Sequence, residues 1–269
     1  MTALDQRLAE LRAANRPALI GYWVSGYPDL ETSKRAIQTM VEAGVDVVEV
    51  GIPYSDPVMD GPTIQQAAEI ALASGARVRD AFQNVQVASD AGAAAVVMSY
   101  WNVIEQYGVE RFADDLDNAA GSGIITPDLT PDESSEWNAA AKAHELNQIF
   151  LVAPSSTDAR LQMTADAASG FIYATAIMGV TGVRESGSNL APELVERTRR
   201  VTDKPIGVGL GVSNAAQAEN VGKYADAVIV GSAFINAFMN APDTESGLKA
   251  LAEVVADIRS GIDRSRQNG

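Results

Sequence analysis

Residues 205–231 read PIGVGLGVSNAAQAENVGKYADAVIVG, and this stretch decides the fold class. An apolar segment is followed by a glycine-rich turn, a helix-forming segment and a second apolar segment that ends on another glycine. Within it, Ala215, Ala218 and Val221 recur at the spacing of one helix face. Nearly continuous apolar strands joined by a single helix are typical of a parallel sheet covered by helices.

The same alternation continues along the whole chain. Eight short apolar runs occur in order, with helical periodicity between most of them, at 18–24, 46–51, 94–98, 123–126, 148–152, 171–174, 205–209 and 226–231. Eight units in about 250 residues fit a closed barrel, whereas a doubly wound sheet usually has fewer strands. We therefore predict an α/β fold, a (β/α)8 TIM barrel. No Pro/Gly/Ser-rich linker divides the chain, so residues 1–269 are expected to form a single domain.

Two additions to the barrel are expected. An amphipathic helix precedes the first strand, because Leu4, Leu8 and Leu11 share one face and Thr2 with Asp5 resembles a capping box. The long interval between the second and third apolar runs has room for a loop and two helices. These predicted helices are Thr63–Ser74 and Arg79–Ala91.

Composition excludes several kinds of chemistry. The 269 residues include no cysteine and one histidine, His144, which excludes disulfides, thiolate nucleophiles, cysteine-ligated zinc, iron–sulfur clusters and metal sites built on two histidines. His144 lies in a predicted helix before the fifth run and is expected at the surface, away from the active end. A net charge of −15 disfavours nucleic acid and anionic membranes as partners.

The location of the protein follows from what the sequence lacks. No apolar run reaches the roughly 20 residues of a membrane span, and the first residues lack the layout of a signal peptide. With no cysteine, the expected location is cytoplasmic.

Glu49 is the first candidate catalytic residue. It stands near the end of the apolar run Val47–Gly51, and active sites of such barrels lie at the carboxyl ends of the strands. If Glu49 points inward, desolvation raises its pKa and lets it act as acid and then base near neutral pH. The alternative is that Glu49 points outward into a salt bridge. We favour the functional interpretation, because a charge inside the barrel is energetically costly unless it serves a purpose.

The loop that follows contains a second carboxyl group. Residues 51–63 read GIPYSDPVMDGPT, and their three prolines stiffen the loop. Asp60 can serve chemistry or can be a plain turn residue before a helix, and its position alone leaves both interpretations open.

Glycine loops predict an anion site. They follow the seventh and eighth strands at 207–211 and at 231, where this fold usually binds phosphate through backbone N–H groups and helix N-termini. Neither loop contains lysine or arginine, so backbone dipoles would hold the phosphate. The glycine- and serine-rich stretch 178–189 after the sixth strand indicates a mobile lid, with a passive surface loop as the alternative.

Lysine placement argues against a Schiff-base aldolase, which needs a lysine inside the barrel near its active end. Lys204 precedes a strand, at the opposite end. The others fall on predicted helices and are Lys34, Lys142, Lys223 and Lys249.

Taken together, the motifs resemble one family, the alpha subunits of tryptophan synthase. The resemblance covers nearly the whole chain and rests on VEVGIPYSDP at 48–57, DGPTIQ at 60–65, LVAPSST at 151–157, GVTG at 179–182 and the two glycine loops. It implies an enzyme that cleaves indole-3-glycerol phosphate to indole and glyceraldehyde 3-phosphate by a retro-aldol reaction.

The resemblance also implies roles for individual residues. Glu49 would protonate indole C3 and accept the proton of the glycerol hydroxyl, and Asp60 would stabilise positive charge at the indole N–H. Thr181 matches a lid threonine that contacts Asp60 on closure. Tyr22 and Tyr100 fit the indole wall. Further substrate- or phosphate-site positions are Tyr173, Gly182, Gly211, Gly231 and Ser232.

A partner is implied as well. Asp56, Pro57 and Asn102 match the surface that meets a beta subunit, which suggests an α2β2 heterotetramer. The beta subunit would join the released indole to serine with pyridoxal phosphate, a cofactor that belongs to the partner. This chain itself is expected to need no cofactor and no metal.

Three positions depart from the family pattern. Tyr22 and Leu210 stand where some relatives have phenylalanine, which alters the expected pocket wall slightly. Val103 stands where proline is frequent, which affects the local loop shape more than the chemistry.

Other functions stay open at this point. One alternative is a stand-alone lyase with the same chemistry, and another is a phosphate-sugar isomerase, which would need a polar slot. The third is a non-catalytic activating subunit, against which the presence of both Glu49 and Asp60 argues.

Overall fold

The computed structural model describes residues 1–175 and 190–266, and a sheet of parallel strands forms its centre. The strands are β1 (Ala18–Val24), β2 (Val47–Gly51), β3 (Ala94–Met98), β4 (Gly123–Ile125), β5 (Asn147–Ile149), β6 (Leu151–Val152), β7 (Ile172–Thr175), β8 (Ile206–Gly209) and β9 (Ala227–Val230). The helices are α1 (Ala3–Ala13), α2 (Leu30–Glu42), α3 (Pro62–Ala73), α4 (Val78–Asp90), α5 (Trp101–Tyr107), α6 (Val109–Asn118), α7 (Ser135–Ala143), α8 (Asp158–Ala167), α9 (Leu190–Arg199), α10 (Ala215–Gly222), α11 (Ser232–Met239) and α12 (Thr244–Arg264).

The sheet closes on itself at the fifth apolar run. The strand order is β5-β4-β3-β2-β1-β9-β8-β7-β6, and only Phe150 separates β5 from β6. β5 pairs with β4 and β6 pairs with β7, while the Phe150 carbonyl accepts a hydrogen bond from the Tyr173 N–H at 3.0 Å. One predicted strand therefore forms two short ones, because it changes partners where the barrel closes. The TIM-barrel prediction is confirmed.

Alternating side chains divide the core into two layers. Residues on the outer face of the strands, such as Trp23, Val48 and Val97, pack against the surrounding helices. The other layer fills the barrel interior and joins strand residues to α1: Leu4, Leu8, Leu11, Ala18, Ile20, Val47, Ala94, Val96, Ile125, Ile149, Phe171, Ala227 and Ile229. Since several of these are the first residues of their strands, α1 closes the amino-terminal end of the barrel.

The predicted capping box at the start of α1 is present. The Asp5 N–H donates to the Thr2 hydroxyl at 3.1 Å, and the Thr2 N–H donates to the Asp5 carboxylate at 2.9 Å. Each bond satisfies a backbone donor that the first helical turn leaves without a partner.

A buried carboxylate also stabilises this end. Asp46 is 1% exposed and pairs with Arg7, Arg16 and Arg259, and it accepts a further hydrogen bond from the Leu19 N–H. These contacts join α1, the segment before β1, the start of β1 and α12 to the residue just before β2, so the buried Asp46 carboxylate has cationic partners and a backbone donor.

The insertion after β2 has the predicted form. Its helices α3 and α4 each begin one residue earlier than the sequence predicts, which is within the usual variation of helix ends. No helix among the described residues combines the length and the apolar character that a membrane crossing requires.

Because α1 closes the barrel through its leucines, we expect Leu8→Ala to lower the free energy of unfolding by about 2–5 kcal/mol. Leu8 is 5% exposed, whereas Gln6 on the same helix is exposed. Gln6→Ala is the matched control and should change stability by no more than about 0.5 kcal/mol. Urea titrations of both variants measure the difference, and equal midpoints would show that α1 does not hold the interior.

Candidate active site

Glu49 lies inside the barrel, as strand alternation predicts. It pairs in register with Tyr22 on β1 and with Val96 on β3, and it lies two residues beyond the interior Val47 on its own strand. Only 1% of its surface is exposed. The two-residue period of β2 thus places this carboxyl group among apolar side chains, at the end of the barrel opposite α1.

Burial dominates the electrostatics of Glu49. It raises the pKa of this carboxyl from its ordinary value of 4.5 to about 8, and the nearby negative charge of Asp60 adds to the shift. Among the described residues, its Oε2 atom has no hydrogen-bond partner. Glu49 is therefore largely protonated at neutral pH and has a free oxygen for a ligand.

Asp60 lies on the loop between β2 and α3. The loop is held by two hydrogen bonds: the Gln65 side chain donates to the Asp60 carbonyl at 2.8 Å, and the Met59 N–H donates to the Tyr100 hydroxyl at 3.0 Å. Burial raises the pKa of Asp60, while its hydrogen bond with the Tyr100 side chain opposes that shift. The second carboxyl group is thus partly desolvated as well.

Both carboxyl groups line one cavity of about 380 Å³ at the carboxyl ends of the strands. Much of the remaining wall is apolar, and it includes Val58, Ile64, Met98, Ile125, Pro127, Leu151, Leu210 and Ile229. A cavity with two carboxyl groups and an apolar wall suits a flat aromatic ligand with one polar edge. A sugar isomerase would need polar groups around its substrate, and this largely apolar wall does not match that requirement.

Glycines line the same cavity. Gly209 and Gly211 follow β8, and Gly231 with Ser232 follows β9, where α11 begins. Gly211 has φ +72°, a conformation that side chains rarely adopt. The loops that the sequence assigns to phosphate therefore line the same cavity as Glu49, and the N-terminus of α11 adds positive dipole.

A family model described as tryptophan synthase alpha chain matches residues 8–263. The chain belongs to the tryptophan synthase alpha chain family. The alpha chain of Thermobifida fusca is 52% identical over 265 residues, which cover 97% of this chain and 98% of that protein. The alpha chain of Mycobacteroides abscessus is 56% identical over 262 residues, with coverage of 97% and 98%.

The fold is also similar to solved structures. A chain of the Mycobacterium tuberculosis tryptophan synthase has a TM-score of 0.90 and 51% identity, and the alignment covers 97% of this chain and 98% of that one. The tryptophan synthase alpha subunit of Legionella pneumophila, at 31% identity, still gives a TM-score of 0.86, with coverage of 98% and 99%.

The other positions that the alpha-chain resemblance predicts have different placements. Tyr22 and Tyr173 line the cavity. Tyr100 is not among the cavity-lining residues; its hydroxyl accepts a hydrogen bond from the Met59 N–H, its side chain hydrogen-bonds to Asp60, and its ring packs on Tyr54 at a centroid distance of 5.0 Å. Thr181, Gly182 and the predicted lid at 178–189 lie outside the described residues.

Asp56 and Asn102 are exposed, and Pro57 is half-buried on the same loop as Asp56. The Asn102 amide lies 3.4 Å from the Tyr54 hydroxyl, so the loop after β2 and helix α5 adjoin at the surface. The three positions that the resemblance assigns to a partner therefore belong to adjoining surface elements.

Sequence reasoning missed most of the apolar wall. Met98 and Ile229 each lie two residues beyond an interior side chain on their own strand, and Leu151 lies two residues beyond the interior Ile149 in the same apolar run, so the two-residue period could have identified all three. Pro127 follows the end of β4 and carries no such signal.

Within residues 1–175 and 190–266, neither lysine nor histidine lines the cavity, and no cluster of three metal-ligating side chains occurs. Lys204 donates to the Ala165 carbonyl at 2.7 Å. His144 is half-buried, 3.4 Å from Asp117, rather than fully at the surface, because it ends α7 and packs beside the loop before β5.

The raised pKa of Glu49 predicts a pH-dependent cost in stability. Between about pH 4.5 and pH 8 the folded chain keeps a proton that the unfolded chain releases, so wild-type stability falls as the pH rises through this window. Glu49→Gln removes the titration. We expect the variant to gain stability over wild type from pH 5 to pH 8.5, by an amount on the order of a few kcal/mol.

Urea unfolding of both chains across this pH range measures the effect. Glu69→Gln, at an exposed glutamate of α3, is the matched control and should follow wild type. A difference between Glu49→Gln and wild type that stays constant with pH would contradict the raised pKa.

Proposed function

We propose that this chain is the alpha subunit of a tryptophan synthase and cleaves indole-3-glycerol phosphate to indole and glyceraldehyde 3-phosphate. The observation that carries the proposal is Glu49, whose pKa is about 8 and which faces an apolar cavity that also contains Asp60. Membership of the alpha chain family supports the same reaction.

In the first step, the protonated Glu49 donates its proton to indole C3. The carbon becomes tetrahedral, and positive charge develops on the ring nitrogen. Asp60, which lines the same cavity, acts as a carboxylate that accepts a hydrogen bond from the indole N–H and stabilises that charge. A carboxyl group with a pKa near 8 suits this step because it still has its proton at neutral pH.

In the second step, the Glu49 carboxylate accepts the proton of the hydroxyl group on the adjacent glycerol carbon. The bond between this carbon and indole C3 breaks, its electrons return to the ring, and the carbon becomes an aldehyde. Glu49 ends the cycle protonated. The reaction balances without an oxidant, a reductant or a cofactor in this chain.

The glycine loops would hold the phosphate. Backbone N–H groups near Gly211, Gly231 and Ser232, with the N-terminus of α11, provide donors and positive dipole at the cavity. Tyr22 and Tyr173 would contact the substrate from the wall. We assign Thr181 and Gly182 to closure and substrate binding by resemblance, and Tyr100 to support of the loop that carries Asp60.

We infer that a beta subunit docks where the loop after β2 meets α5, around Asp56, Pro57 and Asn102. Two large hydrophobic side chains of that loop support this, since Val58 is 77% exposed and Met59 is 47% exposed. The inferred assembly is an α2β2 heterotetramer in which the beta subunit, with its own pyridoxal phosphate, joins the released indole to serine.

The central experiment measures indole release from indole-3-glycerol phosphate by the purified chain, with and without a beta chain. Activity without the beta chain that does not rise on its addition would favour a stand-alone lyase. No indole under either condition would favour a non-catalytic activating subunit.

Glu49→Gln is expected to abolish indole release, because glutamine can neither donate nor accept the transferred proton. In wild type, kcat/KM should fall as the pH rises through about 8, where Glu49 loses the proton that starts the reaction. Glu69→Gln should show wild-type turnover and the same alkaline limb. Turnover by Glu49→Gln near the wild-type rate would reject the mechanism.

Asp60→Asn should lower kcat at least about a hundredfold, the scale of a lost charge-stabilising group, and by less than Glu49→Gln does. Because the charge of Asp60 also raises the pKa of Glu49, its removal should move the alkaline limb to lower pH. Steady-state kinetics across pH test both effects. An unchanged limb would show that the two carboxyl groups do not interact.

A further inference from the structure

The loop that carries Asp60 has little support from the rest of the backbone. Within residues 1–175 and 190–266, the backbone of residues 57–60 makes no hydrogen bond to another backbone group. Val58 and Met59, which precede Asp60, are large hydrophobic side chains that stay exposed. A segment with few buried contacts moves easily, so side-chain contacts have to hold Asp60 in place.

Gly61, the residue after Asp60, adds freedom at this point. It is the N-cap of α3 and gives the helix no side-chain cap. Its φ of −73° and ψ of 166° are open to any residue, and a β-carbon there would have no described atom within 4 Å. Neither backbone geometry nor space therefore requires glycine, whereas its wide conformational range loosens the peptide group beside Asp60.

Gln65 restrains the peptide groups on both sides of Gly61. Its backbone N–H donates to the Gly61 carbonyl at 3.0 Å, in the first turn of α3. Its side-chain amide donates to the Asp60 carbonyl at 2.8 Å. Side chains of a helix point toward its N-terminus, which is why a glutamine at this position reaches the residue before the N-cap. One residue therefore holds the backbone that follows the Asp60 side chain.

Pro62 and Tyr100 complete the arrangement. Proline restricts the residue before it to extended backbone, which is the conformation of Gly61. The Tyr100 hydroxyl accepts a hydrogen bond from the Met59 N–H at 3.0 Å, on the other side of Asp60. The backbone is thus held before and after Asp60. Because the two flanking peptide groups orient the bond from Cα to Cβ, they also decide where the carboxylate points.

We propose that Gln65 is a positioning residue for the reaction: its side-chain amide holds the peptide group between Asp60 and Gly61, and so orients the Asp60 carboxylate toward the indole N–H. This inference rests on the proposed lyase function. Gln65 is not among the described residues that line the cavity, so it acts through Asp60. A carboxylate stabilises developing charge only where its oxygen already lies in place, and a displacement of about 1 Å can cost up to about a hundredfold in rate.

Gln65→Met tests the inference, because methionine keeps an unbranched side chain and removes the amide donor. A single hydrogen bond has the scale of about a fivefold effect, so kcat should fall about fivefold with KM changed by less than about twofold. Gln66→Met, at an exposed glutamine of the same helix, is the matched control and should keep both constants of wild type. Steady-state kinetics with added beta chain measure them.

A second substitution should restore part of the loss. Gly61→Ser narrows the backbone range beside Asp60 and adds a hydroxyl that can cap α3, in a place where a β-carbon has room. In the Gln65→Met background it should raise kcat about threefold, whereas alone it should leave kcat within about twofold of wild type. No recovery of kcat would contradict a role for Gln65 in restraining this peptide group.

A double-mutant cycle separates positioning from a general structural role. In the Asp60→Asn background, Gln65→Met should cause no further loss of kcat, because the charge that Gln65 helps to orient is already absent. An equal loss of kcat in both backgrounds overturns the inference.

NMR of the free chain gives a readout that does not depend on activity. In Gln65→Met, the carbon-13 resonance of the Asp60 carbonyl should move upfield, and the order parameter of the Gly61 amide should fall from about 0.85 toward about 0.6. Gln66→Met should change neither value, and an unchanged Gly61 order parameter in Gln65→Met overturns the inference. If wild type releases no indole while Gly61 loosens in Gln65→Met, the proposed lyase function fails and the restraint by Gln65 stands. If Gln65→Met releases indole at the wild-type rate, the inference fails and the lyase function stands.

Discussion

Glu49 is an ionisable side chain enclosed by an apolar barrel, and the rest of the site depends on its loss of water. Asp46, at the closed end of the same barrel, shows the other outcome of burial. Three arginines and a backbone N–H satisfy Asp46, which then connects helices and strands as a structural anion. Glu49 lacks such compensation, and its Oε2 has no partner among the described residues. A carboxyl group in that situation retains its proton to a pH near 8, which makes it an acid at neutral pH.

The space around Glu49 results from the sizes of the interior side chains. Toward the closed end, the strands contribute valine, isoleucine and phenylalanine, and the leucines of α1 complete the filling. Toward the open end, the inward positions Gly51, Gly209 and Gly231 are glycines. The barrel is therefore packed below Glu49 and hollow above it. Gly51 and Gly231 also allow the ring of Tyr22 to lie across the strand ends. The same two glycines therefore leave space in the cavity and orient Tyr22 in its wall.

Much of this could be predicted from the sequence because it follows from periodicity. The apolar runs indicate the barrel, and the two-residue period of β2 places Glu49 inside. Asp60 has no period to place it, since it lies on a loop held by Tyr100 and Gln65, and only the family resemblance suggested a role. The split at Phe150 was not predictable either, because the apolar run is continuous and the change of partner depends on how the whole barrel closes. Tyr100 is assigned to the indole wall by resemblance, and its hydrogen bonds to the Met59 N–H and to Asp60 depend on the path of the loop, which no periodicity predicts.

The phosphate site and the carboxyl groups of the proposed active site influence each other electrostatically. The chain has a net charge of −15, and no arginine or lysine among the described residues lines the cavity. A phosphate there would be held by backbone donors and by the dipole of α11, which attract an anion locally without placing a cation near the carboxyl groups. A cation would lower the pKa of Glu49 and remove the proton that the first step needs. A bound phosphate has the opposite effect, because its negative charge in the same desolvated space favours the protonated form of Glu49. In the proposed reaction, substrate binding therefore reinforces the protonation state that burial and Asp60 already produce.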